Sequence, residues 1–166
     1  LIACLLLAGL AVKAQDGIDR SAKEIIDEMS PGWNLGNTLE AVTNWTGADL
    51  WNNKGGLAAE TGWQDTKTSQ KVIDFVKSLG FKSIRIPCAW AFGHITDAKS
   101  YTIDPAWMAR VKEVVDYCIN DGLYVVLNDH WDGGWIEVQG FTSNTSSFRA
   151  MTDAEVDAKI VTLKSL

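Results

Sequence analysis

Arg85 carries the sharpest chemical implication in the chain. It lies in the run Phe81-Lys82-Ser83-Ile84-Arg85-Ile86-Pro87. Alternation along an extended segment puts Ser83, Arg85 and Pro87 on one face and Ile84 and Ile86 on the other. With both faces covered, the guanidinium is buried and needs a carboxylate partner. Two readings follow: a structural arginine reaching toward the rim, or a positive charge that keeps a catalytic carboxylate ionised. His130 is one of only two histidines. Asn128 stands two residues before it, so both side chains can face one cleft. Asp129-His130-Trp131-Asp132 also contains metal-donor types. One histidine without a second cluster falls short of a ligand set, and no metal is expected.

Tryptophan is the third signal, with 8 in 166 residues. Trp107 falls in a helical pattern and is expected to pack. Trp45, Trp51, Trp63, Trp90, Trp131 and Trp135 lie in or beside loops. Sugar rings offer apolar C–H faces to aromatic rings, and their hydroxyls need Asn, His and Glu partners. Tryptophans beside such residues point to carbohydrate, although some must serve only as loop anchors.

These residues need elements to hold them. Ser21-Ala22-Lys23-Glu24 is a capping box that opens a short helix bearing Ile25, Ile26 and Met29. Trp33-Asn34-Leu35 reads as a brief strand running into a loop over 36–65. Val72, Ile73, Val76 and Leu79 repeat at helical spacing over 68–79, and Gly80 stops them. The strand 81–87 follows. Asp104-Pro105 opens a helix with Met108, Val111, Val114, Val115, Cys118 and Ile119 on its inner face, ended by Gly122. Residues 123–128 form an apolar run suited to a strand buried on both faces. A loop over 129–151 leads to a second capping box, Thr152-Asp153-Ala154-Glu155, and a helix with Val156, Ile160 and Leu163. Strands separated by helices imply parallel βαβ units, so the fold class is α/β. No G-x-G-x-x-G follows a strand, which argues against nucleotide binding. In parallel α/β folds chemistry gathers where strands end, and here three strand ends carry polar residues: Asn34 and Asn37; Arg85, with His94 beyond; Asn128 and His130.

The remaining composition narrows the setting. The chain is 46% hydrophobic and 22% charged, which excludes a disordered polymer. Its formal net charge of −6 argues against a nucleic-acid partner. Residues 1–12 are apolar but short of the ~20 residues that span a bilayer, so no membrane span is expected. Val12-Lys13-Ala14 then offers a small-x-small cleavage site, and residues 1–14 read as a secretory signal peptide cut at its start. A buried core helix is the alternative. A lipobox at Cys4 is discounted, because the apolar run continues past it. Cys88 and Cys118 lack the spacing of a disulfide framework or a zinc site, and Cys118 falls on a helical apolar stripe.

Four ordered blocks carry a resemblance: Gly32-Trp33-Asn34-Leu35-Gly36-Asn37-Thr38-Leu39-Glu40-Ala41, Glu60-Thr61-Gly62-Trp63, Gly80 through Pro87, and Leu127-Asn128-Asp129-His130-Trp131-Asp132-Gly133-Gly134-Trp135. Together they resemble glycoside hydrolase family 5, most closely its subfamily 4 of endoglucanases and xyloglucanases. The resemblance covers nearly all of residues 15–166. It implies the N-terminal part, about three βα units, of a (β/α)8 TIM barrel, an architecture of about 250 residues. It also implies retaining hydrolysis of β-1,4-glucan by two glutamates, one after the fourth strand in an Asn-Glu pair and one after the seventh.

Neither glutamate is present, and no Asn-Glu dipeptide occurs. Glu40, Glu60 and Glu137 are read as rim or structural residues. The resemblance makes Arg85 and His130 supporting residues of the catalytic centre, with Arg85 against the nucleophile and His130 at the −1 subsite. Asn37, His94, Asn128, Trp131 and Trp135 become substrate-binding candidates. Trp131 departs from the second histidine of many relatives. The expectation is a fragment of a secreted bacterial endo-β-1,4-glucanase, monomeric when complete, with β-glucan as partner and no cofactor. Xyloglucanase, lichenase and mannanase are alternatives within the family, and a non-catalytic carbohydrate-binding barrel is the alternative outside catalysis. Residues 15–166 alone are expected to be poorly soluble and inactive, because three strands leave open edges.

Overall fold

The computed structural model describes residues 19–43, 55–130, 132 and 152–165. The signal-peptide reading, Trp45, Trp51, Trp131, Trp135 and Glu137 lie outside the described residues. In chain order the elements are α1 (Ala22–Met29), β1 (Gly32–Asn34), a 3-10 helix (Gly56–Thr61), α2 (Gln70–Ser78), β2 (Ser83–Cys88), β3 (Ile95–Asp97), β4 (Thr102–Ile103), α3 (Pro105–Asn120), β5 (Tyr124–Asp129) and α4 (Asp153–Leu163).

Local chemistry sets the helix starts. Ser21 Oγ accepts from Glu24 N at 3.3 Å, and Glu24 reaches back to Ser21 N at 2.7 Å. Thr152 and Glu155 repeat this reciprocal cap at α4. Asp104 caps α3 by accepting from Ala106 N at 2.9 Å, with Pro105 at the first helical position. Each such cap is worth about 1 kcal/mol.

The strands β1, β2 and β5 form a parallel sheet in that order, with α2 and α3 as crossovers. The register sets Asn34, Arg85 and Val126 side by side. Helix α3 contributes Trp107, Val111, Val114 and Cys118 to the core, and α2 contributes Ile73 and Val76. They meet Ile84, Ile86 and Cys88 of β2, together with Leu35, Leu39 and Leu123. Ile84 and Ile86 thus take the helix side of β2, as alternation requires. Burial pushes the Cys118 thiol up to about 11 and raises Cys88 further, as befits small apolar core residues.

Several expectations are corrected. Val72 and Leu79 of the α2 segment are exposed, as are Met108 and Ile119 of α3. Each apolar stripe is wider than its line of contact with the sheet, so only the central residues are covered. β5 is not buried on both faces, since Val126 and Leu127 are exposed. Among the described residues it pairs only with β2, leaving one edge and part of its surface uncovered. The segments read as loops also hold structure. The 3-10 helix lies within 36–65, and β3 and β4 form an antiparallel hairpin after β2. Its turn is fixed by Asp97, which accepts from Lys99 N at 2.9 Å and from the Ser100 hydroxyl at 2.8 Å. Among the described residues, no helix is long and apolar enough to cross a membrane.

Candidate active site

The carboxyl ends of β1, β2 and β5 lie side by side, and their polar side chains meet there. Arg85 Nη1 donates to Asn34 Oδ1 at 2.6 Å, and Arg85 Nη2 approaches His130 Nδ1 at 3.2 Å. A guanidinium only donates, so His130 Nδ1 accepts and the imidazole proton sits on Nε2. One cation is thus held between a neutral amide and a neutral ring. The carboxylate partner expected for Arg85 is not found among the described residues, and the side chain is half-buried rather than enclosed. The adjacent strand ends supply neutral acceptors instead, and the guanidinium lies at the rim.

The turn after β1 is tightly specified. A Cβ at Gly36 would stand 2.7 Å from Asn34 Nδ2, so this position must be bare for Asn34 to turn toward Arg85. Asn37 follows with φ +59°. Its N–H donates to Glu40 Oε1 at 2.6 Å, and Thr38 N donates to Glu40 Oε2 at 2.9 Å. Glu40 is buried and holds this turn, which presents Asn37 at the surface.

His130 is held through its backbone as well as its ring. Its N–H donates to Cys88 O at 3.0 Å, and its carbonyl accepts from Asp132 N at 2.6 Å. Asp132 takes φ +43° and is 1% exposed. Its carboxylate accepts from Ala91 N (2.8 and 3.0 Å) and from Phe92 N (2.6 Å), which ties the loop after β2 to the turn after β5. Gly55 N and Gly56 N donate to Gly93 O at 3.0 and 3.3 Å, so residues 55 and 56 hold the same segment as well. Loss of solvation, followed by the charge of Asp132 and a hydrogen bond to it, pushes Asp129 up to about 6.

Not every candidate joins this centre. Asn128 is half-buried and donates to Asp129 O at 2.5 Å, with no described bond to Arg85 or His130. Its Oδ1 is buried and without a partner among the described residues. His94, expected at the glycone side of the rim, is instead fully buried. It stacks on Trp107 with centroids 3.8 Å apart and planes at 8°. Neither ring nitrogen has a described hydrogen-bond partner, and burial pushes the imidazole down to about 4, opposed by Asp104. Of the loop tryptophans described, Trp63 is 43% exposed, while Trp90 is half-buried against the core. Trp107 packs and donates from Nε1 to Ala89 O at 2.8 Å. Among the described residues, no group of three or more His, Cys, Asp or Glu side chains could hold a metal.

Glu60 is also consumed internally. It is fully buried and accepts from Arg110 Nε at 2.8 Å, Arg110 Nη2 at 2.7 Å and Thr68 N at 2.8 Å. This brace between the 3-10 helix and α3 was not legible in the sequence, nor was the clamp at Asp132. Both depend on pairs far apart in the chain, and neither residue stands in a spacing that marks a partner.

A guanidinium and an imidazole thus meet at the carboxyl ends of adjacent parallel strands, the face on which parallel α/β barrels build their sites. Residues 37–160 match the family described as Cellulase (glycosyl hydrolase family 5), and the chain belongs to that family. Over 118 residues it is 49% identical to Endoglucanase A of Clostridium longisporum, covering 70% of this chain and 21% of that protein. It is 47% identical over 117 residues to Endoglucanase A of Ruminococcus albus, covering 70% and 29%. A solved GH5 xyloglucan-specific β-1,4-glucanase from a ruminal metagenomic library, in complex with XXLG, shares 54% identity with a TM-score of 0.72. The match covers 89% of this chain and 34% of that one. A GH5-4 broad specificity endoglucanase from Ruminococcus champanellensis with bound cellotriose gives 36% identity, a TM-score of 0.68, and coverage of 89% and 37%. The chain therefore spans between 21% and 37% of the length of these four relatives. Its three parallel βα units are the N-terminal part of a (β/α)8 barrel.

Proposed function

We propose that this chain is the N-terminal portion of a retaining endo-β-1,4-glucanase that hydrolyses O-glycosidic bonds in β-glucan. The carrying observation is the contact of Arg85 with both Asn34 and His130 at three adjacent strand ends. In a retaining glycosidase one carboxyl protonates the leaving oxygen and the other attacks the anomeric carbon. Both glutamates would come from strands beyond those described. Arg85 would face the nucleophile and favour its ionised form. His130, with its proton on Nε2, would present a donor to a sugar hydroxyl. Asn37 would add a polar contact at the surface, and Asn128, Trp131 and Trp135 complete the proposed substrate set. That chemistry needs no metal or organic cofactor.

Xyloglucan is the second reading, favoured by the 54% identity to a xyloglucan-specific glucanase. The test is a panel of cellulose, xyloglucan, lichenan and mannan with the full-length protein. Reducing-sugar release from cellulose or lichenan is expected. Turnover of xyloglucan alone would select the second reading, and no hydrolysis of any member would leave a carbohydrate-binding barrel. We further propose that the protein is secreted, from the apolar run 1–12 and the site at Val12-Lys13-Ala14. N-terminal sequencing of secreted material should begin at Gln15. A monomer is expected by light scattering.

A further inference from the structure

We propose that Asp132 is a positioning residue that fixes the placement of His130 against Arg85. The proposal rests on the glucanase reading only for its effect on rate. The geometric claim stands on the described bonds alone.

Three observations meet at this residue. Asp132 N donates to the carbonyl of His130 at 2.6 Å, while His130 N extends the ladder to Cys88 O at 3.0 Å. His130 is therefore pinned on both sides of its own Cα. The Asp132 carboxylate, 1% exposed, takes the N–H groups of Ala91 and Phe92. Those donors lie in the loop that continues directly from β2, the strand bearing Arg85. The backbone at Asp132 has φ +43°, a conformation that Asp and Asn tolerate better than most residues.

The carboxylate thus anchors the turn that carries His130 to the strand that carries Arg85. Without it, two buried N–H groups lose their acceptor, and the left-handed turn loses the contact that holds it. The His130 ring would then be free to leave Arg85 Nη2, and Nδ1 would no longer be held as the acceptor.

The test uses the full-length protein with Asp132→Ala, Asp132→Asn and Asp132→Ser. Asn keeps an oxygen acceptor and tolerates the turn, while the Ser hydroxyl stops about one bond short of the Ala91 and Phe92 N–H groups. Nitrogen-15 NMR of the imidazoles reads the tautomer of His130 directly, whether or not the protein turns over glucan. For Asp132→Ala we expect His130 to move from the single Nε2–H tautomer to a mixture. We also expect kcat to fall by about tenfold to a hundredfold, the scale of an ångström-level misplacement, with KM within about twofold. Asp132→Asn should restore the tautomer and bring kcat to within about threefold of wild type. If Asp132→Ala does not fold, Asp132→Ser should show the mixed tautomer instead. The proposal is overturned if His130 keeps its wild-type signals in the folded Ala or Ser variant. It is equally overturned if kcat falls only in proportion to the folded fraction measured by circular dichroism. Absence of hydrolysis by the wild-type protein would refute the glucanase reading and leave the NMR comparison to decide this one.

Discussion

Two arginines stand in opposite situations. Arg110 on α3 gives Nε and Nη2 to both oxygens of the fully buried Glu60, Nη2 to Thr68 O at 2.6 Å and Nη1 to Glu113 at 2.6 Å. Every face of that guanidinium is matched, and the buried Glu60 carboxylate is answered by it inside the fold. Arg85 is held by an amide and an imidazole, neither of which answers its charge. The comparison separates a structural brace from the cation proposed to be functional by what surrounds each, since the residue type is the same. A satisfied buried pair resists disturbance. A cation on neutral supports keeps its electrostatic reach for an anionic group beyond them.

The difference can be broken from either side in the full-length protein. Glu60→Ala should have the largest effect on folding. It strands Arg110 with 11% side-chain exposure and should cost about 3–5 kcal/mol in chemical denaturation. An unchanged midpoint would show that the pair braces nothing. Arg85→Ala should do the reverse, lowering kcat/KM on β-glucan by about 10²-fold or more while the denaturation midpoint stays near wild type. Stability loss with full activity would merge the two arginines into one class.

His94 lies between these regions, carried on the rim loop and stacked on Trp107 of α3. Its folded value of about 4 lies below the ordinary 6.5, so the fold favours the neutral ring. Between those values the unfolded chain binds the extra proton. The stability is therefore complete above pH 6.5 and lost as pH falls toward 4, by roughly 3 kcal/mol over the interval. Asp129, raised from 3.8 to about 6, works in the opposite sense and loses stability as pH rises through 6. His94→Phe should flatten the acid-side loss, and Asp129→Asn should steepen it, both read from unfolding free energies at pH 4, 5, 6 and 7. At the small end, Lys112→Ala removes an exposed pair with Asp116 and should leave the midpoint unmoved within error.

What could be read from the chain alone was mostly local. The boxes at Ser21–Glu24 and Thr152–Glu155 and the Asp104–Pro105 start are each written within four residues, and each formed as expected. Parallel order followed from alternating strands and helices. The faces of α2 and α3 were only half legible, because periodicity marks where apolar residues lie and not how much of the stripe a neighbour covers. The hairpin β3–β4 escaped because its strands are three and two residues long. In the site, Arg85 and His130 could be singled out by type and strand position, yet their mutual contact and the Asn34 bond depend on register between strands 51 and 45 residues apart. His94 misled because its place after β2 resembles a rim position, while stacking on Trp107 draws it inside.

The close approach of the loops after β1 and β2 bears on which substitutions the rim can accept. Gly93 has φ +80°, and a Cβ there would stand 3.3 Å from Gly55 N; one on Gly55 would stand 3.2 Å from Gly93 O. Neither position can grow a side chain without parting the backbones. Saturation mutagenesis across the two loops should therefore find Gly55 and Gly93 among the least replaceable sites. Variation in this part of the rim is left to the side chains around them.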